Sequence, residues 1–404
     1  MTGVGYDIVM LALPRWDGLY SSTAYSLAKE LSLHTRVFYI DNPFTWKDFL
    51  INGGKASIVR RRKALLWGNS PFVWPDAAYP QLVAATPRLV VPINWIPPGR
   101  IYDALEQWND SIVYRVIDAI LQEFNVRNFV FINSFNPLFG RFFPSKFRPA
   151  LRIYHCVDDI SRSEYMSRHG TYLERIALMK ADLTLVTSKE LQRLKSAESS
   201  NVIYHPNAAD VELFQRALDE GVEKPAELRD IPEGKKIIFY MGNICHRLDY
   251  ELLVKIAAVS HYHVVMVGPR TNDNYKKAGL DKLVNVTFTG RKELAELPSY
   301  VRFADCCIIP FLCTALTRSI YPLKINEYLS AGKPVVTTNF SEDIANFAEV
   351  AHVCKSHDDF LKHVAVAINE HTTAMKEERR RYAAANNWKS RALDLLNIIK
   401  RKLI

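Results

Sequence analysis

Nothing in the sequence reaches 18 consecutive apolar residues, so no helix is expected to span a bilayer. The first residues offer only a short apolar run at 8–13, cut by Pro14, which reads as neither a secretory signal nor a membrane anchor. The six cysteines (156, 245, 306, 307, 313 and 354) have no metal-ligand spacing. Cys306 and Cys307 are adjacent in an apolar run and read as core, which fits a reducing compartment. There is no internal repeat and no low-complexity tract. What remains is the profile of a folded protein: 404 residues, 48% hydrophobic and 24% charged, enough for two or three domains. The formal charge of +9 suits polyanionic partners such as nucleotide sugars, anionic lipid headgroups or nucleic acid. The first 205 residues are the more basic half, at +6 against +3.

The most informative stretch is 321–336, YPLKINEYLSAGKPVV. Pro322 suits a first helical turn, and Leu323, Ile325, Tyr328 and Leu329 repeat at near-helical spacing. Gly332 and Pro334 then stop the helix, and 335–338 reads as a buried strand. Lys324 and Glu327 share one helix face. Lys324 falls in the first turn, where backbone N–H groups already favour an anion. The pair could hold the diphosphate and the ribose diol of one nucleotide. The plainer reading is an ordinary i,i+3 ion pair.

The chain before it alternates strands and helices: strand 6–13, loop 14–20, helix to 33, strand 36–40. That is the opening of a parallel doubly wound sheet, in which ligands sit beyond the strands' carboxyl ends. Loops 14–20 and 41–46 therefore face a site, with Tyr20 and Ser21 as candidates. Segment 44–100 is harder to read. It combines tryptophans 46, 67, 74 and 95, eight prolines when Pro43 is included, and the run Arg60-Arg61-Arg62-Lys63. Aromatics beside a basic run suit a membrane interface, or stacking on single-stranded nucleic acid; the alternative is a hairpin with a solvated basic turn. A helix at 101–124 and strands at 128–132, 150–157 and 181–188 follow. Asp158 and Asp159 come just past the 150–157 strand. Adjacent carboxylates there suit a general base, or a cap plus a surface aspartate for the next helix. His155, a lone histidine at the end of a buried strand, reads as structural. A second sheet opens at 235–241 and continues at 263–267, 285–290 and 306–311. Gly242 and Asn243 end its first strand, before Arg247, and Arg291 follows its third. Gly242 would let backbone approach a phosphate, or simply make a tight turn.

The motif P-L-K-x-x-E-Y-L-x-x-G-K-P-V-V resembles the nucleotide-binding segment of GT-B glycosyltransferases. It is close to the group of the xanthan glucuronosyltransferase and teichuronic-acid-type enzymes. The resemblance implies an α/β fold of two Rossmann-like parallel-sheet domains facing across a cleft. The acceptor domain is expected at 1–210, with the helix at 386–404 packing back on it; 211–234 is expected as a linker, and 235–385 as the nucleotide-sugar domain. It places Lys324 on the donor phosphates and Glu327 on the ribose. Leu323, Gly242, Asn243, Arg247 and Arg291 are placed near the donor by the same likeness. It favours Asp158, narrowly over Asp159, with His155 as the rival, for the aspartate base of an acceptor domain. Eight positions before Glu327, where retaining relatives carry a second acid, this chain has Ser319. With no D-x-D clamp either, an inverting reaction is implied, with no metal and no cofactor beyond the sugar nucleotide.

The implied activity is glycosyl transfer, hexosyl or glycuronosyl, from a donor expected to be UDP-linked to a polysaccharide or lipid-linked oligosaccharide acceptor. The implied place is the cytoplasm or the inner membrane face, with membrane contact through 44–100 and no nucleic-acid partner. A UDP-sugar epimerase on the same fold and a non-catalytic nucleotide or nucleic-acid binding module are the alternatives.

Overall fold

The computed structural model describes residues 5–18, 22–163, 166–369 and 372–403. Tyr20 and Ser21 lie outside them. The chain forms two compact units: residues 1–205 with 391–404, and residues 206–390.

The first unit is built on a sheet of eight described strands: β1 (Asp7–Ala12), β2 (Val37–Ile40), β3 (Phe72–Val73), β4 (Leu82–Ala85), β5 (Phe129–Ser134), β6 (Leu151–Cys156), β7 (Leu183–Val186) and β8 (Val202–Tyr204). Their order is β3-β4-β2-β1-β5-β6-β7-β8, parallel except for the β3/β4 pair. The strands β1, β2, β4, β5 and β7 are almost wholly buried, as a sheet covered on both faces requires. One face packs on the helix Thr23–Leu31 and on the C-terminal helix Trp388–Leu403. Leu27, Leu31, Ala392, Leu395 and Ile399 share a core there with Ile8, Met10 and Ile132. The other face packs on the long helix Arg100–Glu123 through Val113, Ile117 and Ile120.

The second unit has strands β9 (Lys236–Met241), β10 (Tyr262–Val267), β11 (Val286–Gly290), β12 (Cys306–Ile309), β13 (Val335–Thr338) and β14 (His352–Cys354). All pair in parallel, in the order β11-β10-β9-β12-β13-β14. The strand order reverses between β9 and β12, which is the topological switch point where open α/β sheets bind ligands.

Two expectations need correction. Residues 211–234 are not a free linker. They form the helices Val211–Gln215 and Ala226–Arg229, and Phe214, Leu228 and Ile231 are buried in the second unit's core. The aliphatic and aromatic side chains outweigh the charges around them. The basic run 60–63 is not a solvated hairpin turn either. It falls across the short helices Ala56–Val59 and Arg62–Trp67, and the only hairpin-like pairing described nearby is β3 with β4.

Candidate nucleotide site

The centre of the second unit's candidate site is the helix Leu323–Ser330, which follows β12 with one short helix, Ala315–Arg318, between them. Leu323, partly buried, is its first residue. Ile325, Tyr328 and Leu329 are fully buried, and the Tyr328 hydroxyl accepts the Met241 N–H at 2.8 Å, locking the helix to the end of β9. On the other side Asn326 Nδ2 donates to the Tyr321 hydroxyl, and Asn207 Nδ2 to the Tyr321 carbonyl, each at 3.1 Å. The helix is thus fixed in rotation, which decides where Lys324 and Glu327 point.

Lys324 lies against the carboxyl end of β9. Its ammonium sits 5.3 Å from the centre of the Tyr240 ring and 4.8 Å from that of Phe311, both buried. A Cβ built on Gly242 would stand 3.2 Å from Lys324 Nζ. Arg247 is close by, its guanidinium 5.8 Å from the same Phe311 ring. The loop carrying Arg247 is pinned to the exit of β12: Leu312 N–H donates to the Arg247 carbonyl at 2.9 Å, and Asp249 N–H to the Pro310 carbonyl at 2.8 Å. Two cations therefore lie near one aromatic ring, Phe311, and Lys324 is in addition beside a glycine and in the first turn of a helix. Aromatic faces attract a cation without neutralising it.

No described carboxylate forms an ion pair with Lys324, so the plain i,i+3 pair with Glu327 is not what the structure shows. Glu327 is buried and one turn on. Burial holds Lys324 down to about 8, with Arg247 adding to the effect and Glu327 opposing it. Burial also pushes Glu327 up to about 7, with Lys324 opposing and Asp210 reinforcing. Groups shifted toward neutrality cluster at binding and catalytic sites, which makes this switch point the candidate.

The shifts also bear on stability. Lys324 binds fewer protons folded than unfolded between pH 8 and 10.5, so the cost of burying it is fully present below pH 8 and is relieved as pH rises through that window. Lys324→Met is therefore expected to stabilise the second unit at pH 7 by ~1–3 kcal/mol. The gain should be visible as a higher Tm in scanning calorimetry at pH 7 and absent near pH 10.5. A lower Tm at neutral pH would show that the lysine is held by a partner.

The other expected donor residues are placed as follows. Gly242 has φ +134°, the glycine-favouring region, and its N–H donates to the Val267 carbonyl at 2.8 Å. Asn243 is engaged by the fold: its carbonyl accepts from the Tyr240 hydroxyl at 3.1 Å and its side-chain oxygen from Thr271 at 2.9 Å. Arg291 lies past β11, separated from β9 by β10, and pairs with Glu293 at 3.3 Å. Ser319 is buried at the end of the helix Ala315–Arg318. Reading the sequence missed Tyr240, Phe311 and Gly268. A Cβ on Gly268 would fall 2.0 Å from the Gly242 carbonyl oxygen, so β9 and β10 come together there as bare backbone. A glycine closing the next strand was the available signal.

Of the three base candidates in the first unit, the structure separates their surroundings sharply. His155 is 1% exposed; its Nδ1 lies 3.1 Å from Ser134 Oγ and its Nε2 has no partner among the described residues. Burial, with His205 nearby, holds it down to about 3, so it is neutral at working pH and sealed from solvent. Asp159 is buried and caps the turn Ile160–Arg162, accepting from Ser161 N at 3.0 Å and Ser161 Oγ at 2.6 Å. Asp158 alone of the three is exposed, at the carboxyl edge of the sheet. The same edge carries a buried network that sequence reading missed. Arg61 donates to both Asp17 oxygens (2.7 and 2.8 Å) and to Asp41 Oδ2 (2.9 Å), tying loop 14–18 to the end of β2.

Among the described residues one group has mixed metal-ligand types: Cys354, Asp359 and His363, with candidate ligand atoms within 4.8 Å of one another. His363 Nδ1 faces the Asp359 carbonyl one turn back, at 2.8 Å, and burial pushes the Cys354 thiol up to about 12. It sits on β14 and the helix after it, not with Lys324 and Arg247.

Two α/β units, each built on a largely parallel sheet, define the class: this is the GT-B architecture. The sucrose-phosphate synthase of Thermosynechococcus elongatus superposes with a TM-score of 0.70 over 98% of each chain, at 15% identity. Residues 235–370, within the second unit, match the family model described as glycosyl transferases group 1. The chain is 28% identical over 213 residues to the teichuronic acid biosynthesis glycosyltransferase TuaH of Bacillus subtilis, covering 50% of this chain and 51% of that one. It is 24% identical over 196 residues to the colanic acid biosynthesis glycosyl transferase WcaI of Escherichia coli, covering 46% of each. The matches thus span about half the length of these relatives.

Proposed function

We propose that the protein transfers a sugar from a nucleotide donor, UDP-linked, to a polysaccharide or lipid-linked oligosaccharide acceptor at a membrane face; the names of its relatives support the glycosyl-transfer part of this reading. The observation that carries this reading is Lys324, a cation with two aromatic neighbours and Arg247 beside it but no described carboxylate paired to it. A diphosphate supplies the missing countercharge, and its departure as a leaving group needs that same stabilisation. Glu327, one turn along, takes the ribose diol. Ser319 in place of a second acid supports inversion, with Asp158 deprotonating the acceptor hydroxyl and no metal taking part.

Titration calorimetry with UDP tests the donor half. Lys324→Ala is expected to weaken binding by about 1.5–3 kcal/mol, the worth of a charged hydrogen bond. In the wild type, affinity should fall as pH rises through about 8, where free Lys324 loses its proton. Unchanged affinity in the variant would remove Lys324 from the donor site. Incubation with labelled UDP-sugars and product analysis tests the other half: an altered sugar still on UDP, formed without acceptor, would mark an epimerase instead. Chelator should leave the transfer rate unchanged.

A further inference from the structure

Segment 46–67 folds into three short helices, Trp46–Asn52, Ala56–Val59 and Arg62–Trp67. Their inner faces meet in one small core of Phe44, Ile58, Leu65 and Leu89, with Phe49 and Leu66 packed against it. Their outer faces carry large apolar side chains in water: Leu50 is 78% exposed, Ile51 68% and Trp67 72%, and Trp46 and Val59 are about half exposed. The helix Trp46–Asn52 has no buried residue at all. Such a cluster is costly in solution unless something covers it.

The charges on the same helices are almost all of one sign. Lys47, Lys55, Arg60, Arg62 and Lys63 are exposed. The one acid of the segment, Asp48, is used in capping the first helix, accepting from Thr45 N at 3.0 Å and Thr45 Oγ1 at 2.9 Å. Arg61, by contrast, points inward to Asp17 and Asp41. Exposed apolar side chains and exposed cations on the same short helices match a bilayer surface of anionic lipid: the aromatic and aliphatic side chains enter the acyl boundary while the cations meet the headgroups. A nucleic acid would use the charge but leave Leu50 and Ile51 in water; a protein partner would need acidic groups of its own to match the cations, and no feature of this face points to one.

We infer that the exposed apolar side chains of these helices, Trp46, Leu50, Ile51, Val59 and Trp67, together with the exposed cations Lys47, Lys55, Arg62 and Lys63 beside them in the chain, dock the protein on an anionic membrane. Through Arg61 the same helices are tied to loop 14–18 and the end of β2, so docking fixes the carboxyl edge of the first unit's sheet relative to the lipid surface. The inference deepens the membrane-face reading above, but its test does not need transfer activity.

The full chain is to be sedimented with phosphatidylcholine vesicles, with vesicles containing phosphatidylglycerol, and with single-stranded RNA. Binding to the anionic vesicles only is expected, with a blue shift of tryptophan emission. The triple variant Leu50→Ser, Ile51→Ser, Trp67→Ser and the pair Arg62→Glu, Lys63→Glu should each lose about tenfold or more in vesicle partitioning. Both should keep UDP affinity and Tm, which separates a failed membrane face from a misfolded protein or a wrong donor site. Vesicle binding unaltered in both variants, no vesicle binding by the wild type, RNA binding in its place, or a dimer dissolved by the triple variant would each overturn the inference.

Discussion

Asp158→Asn is expected to slow sugar transfer by about 10²–10⁴-fold, the usual worth of a general base, while UDP affinity and Tm stay at wild-type values. The argument is one of access. A base must reach the acceptor hydroxyl within hydrogen-bond distance, and of the three residues at the end of β6 only Asp158 is exposed. Asp159 already gives Oδ1 to Ser161 and faces Arg162 with Oδ2, so Asp159→Asn should act as a weakened cap, costing about 0.5–2 kcal/mol of stability and little rate. His155 is neutral and enclosed, and a buried imidazole held down to about 3 cannot change its charge in the working range. His155→Gln should therefore change Tm rather than the pH profile of the rate. Single-turnover rates with a saturating donor would separate the three. A rate for Asp158→Asn within a few-fold of wild type would remove it from the mechanism.

How much of this could be read beforehand depended on whether a feature was local. The helix Leu323–Ser330 and strand β13 were legible because Pro322, Gly332 and Pro334 punctuate them at fixed offsets and Ile325, Tyr328 and Leu329 keep helical spacing. The alternation of strands and helices also announced two parallel sheets. The floor under Lys324 was not legible. Tyr240 and Phe311 lie 84 and 13 residues before it, and only the strand order brings them together. Residues 211–234 misled because their charges resemble a linker, whereas three spaced apolar side chains, Phe214, Leu228 and Ile231, are enough to fasten them to a core. Segment 44–100 resisted because its helices are each a turn or two long and lean on one another. No window within it holds a full amphipathic period. The Arg61 network shows the same limit: an arginine inside a basic run reads as surface, and only its two distant aspartates make it a core residue.

Gly268→Ala should cost more folding stability than any substitution of a side chain in the nucleotide site, ~3–5 kcal/mol, because the obstacle is backbone on both sides. Gly268 has φ +147°, and an added Cβ would fall 2.0 Å from the Gly242 carbonyl oxygen and 2.8 Å from its carbon. Neither strand end can retreat. Gly242 N–H is bonded to Val267 and Gly268 N–H to the Gly290 carbonyl at 2.9 Å, so the three parallel strand ends are chained together. Gly242→Ala makes the informative partner. Its φ of +134° also costs about 1–3 kcal/mol for a residue with a Cβ, but the atoms that the methyl meets are Lys324 Cε at 3.1 Å, Lys324 Nζ at 3.2 Å and the Tyr240 hydroxyl at 3.1 Å. A lysine tip can swing aside where a carbonyl cannot. Gly242→Ala is therefore expected to fold with a modest loss of Tm and to lose UDP affinity about as severely as Lys324→Ala, since the displaced ammonium leaves its aromatic floor. Chemical denaturation paired with UDP calorimetry reads both quantities on the same samples. If Gly268→Ala folds with a wild-type midpoint, the close approach of β9 and β10 is wrong. If Gly242→Ala keeps full UDP affinity, the position of the Lys324 ammonium beside that glycine does not govern donor binding.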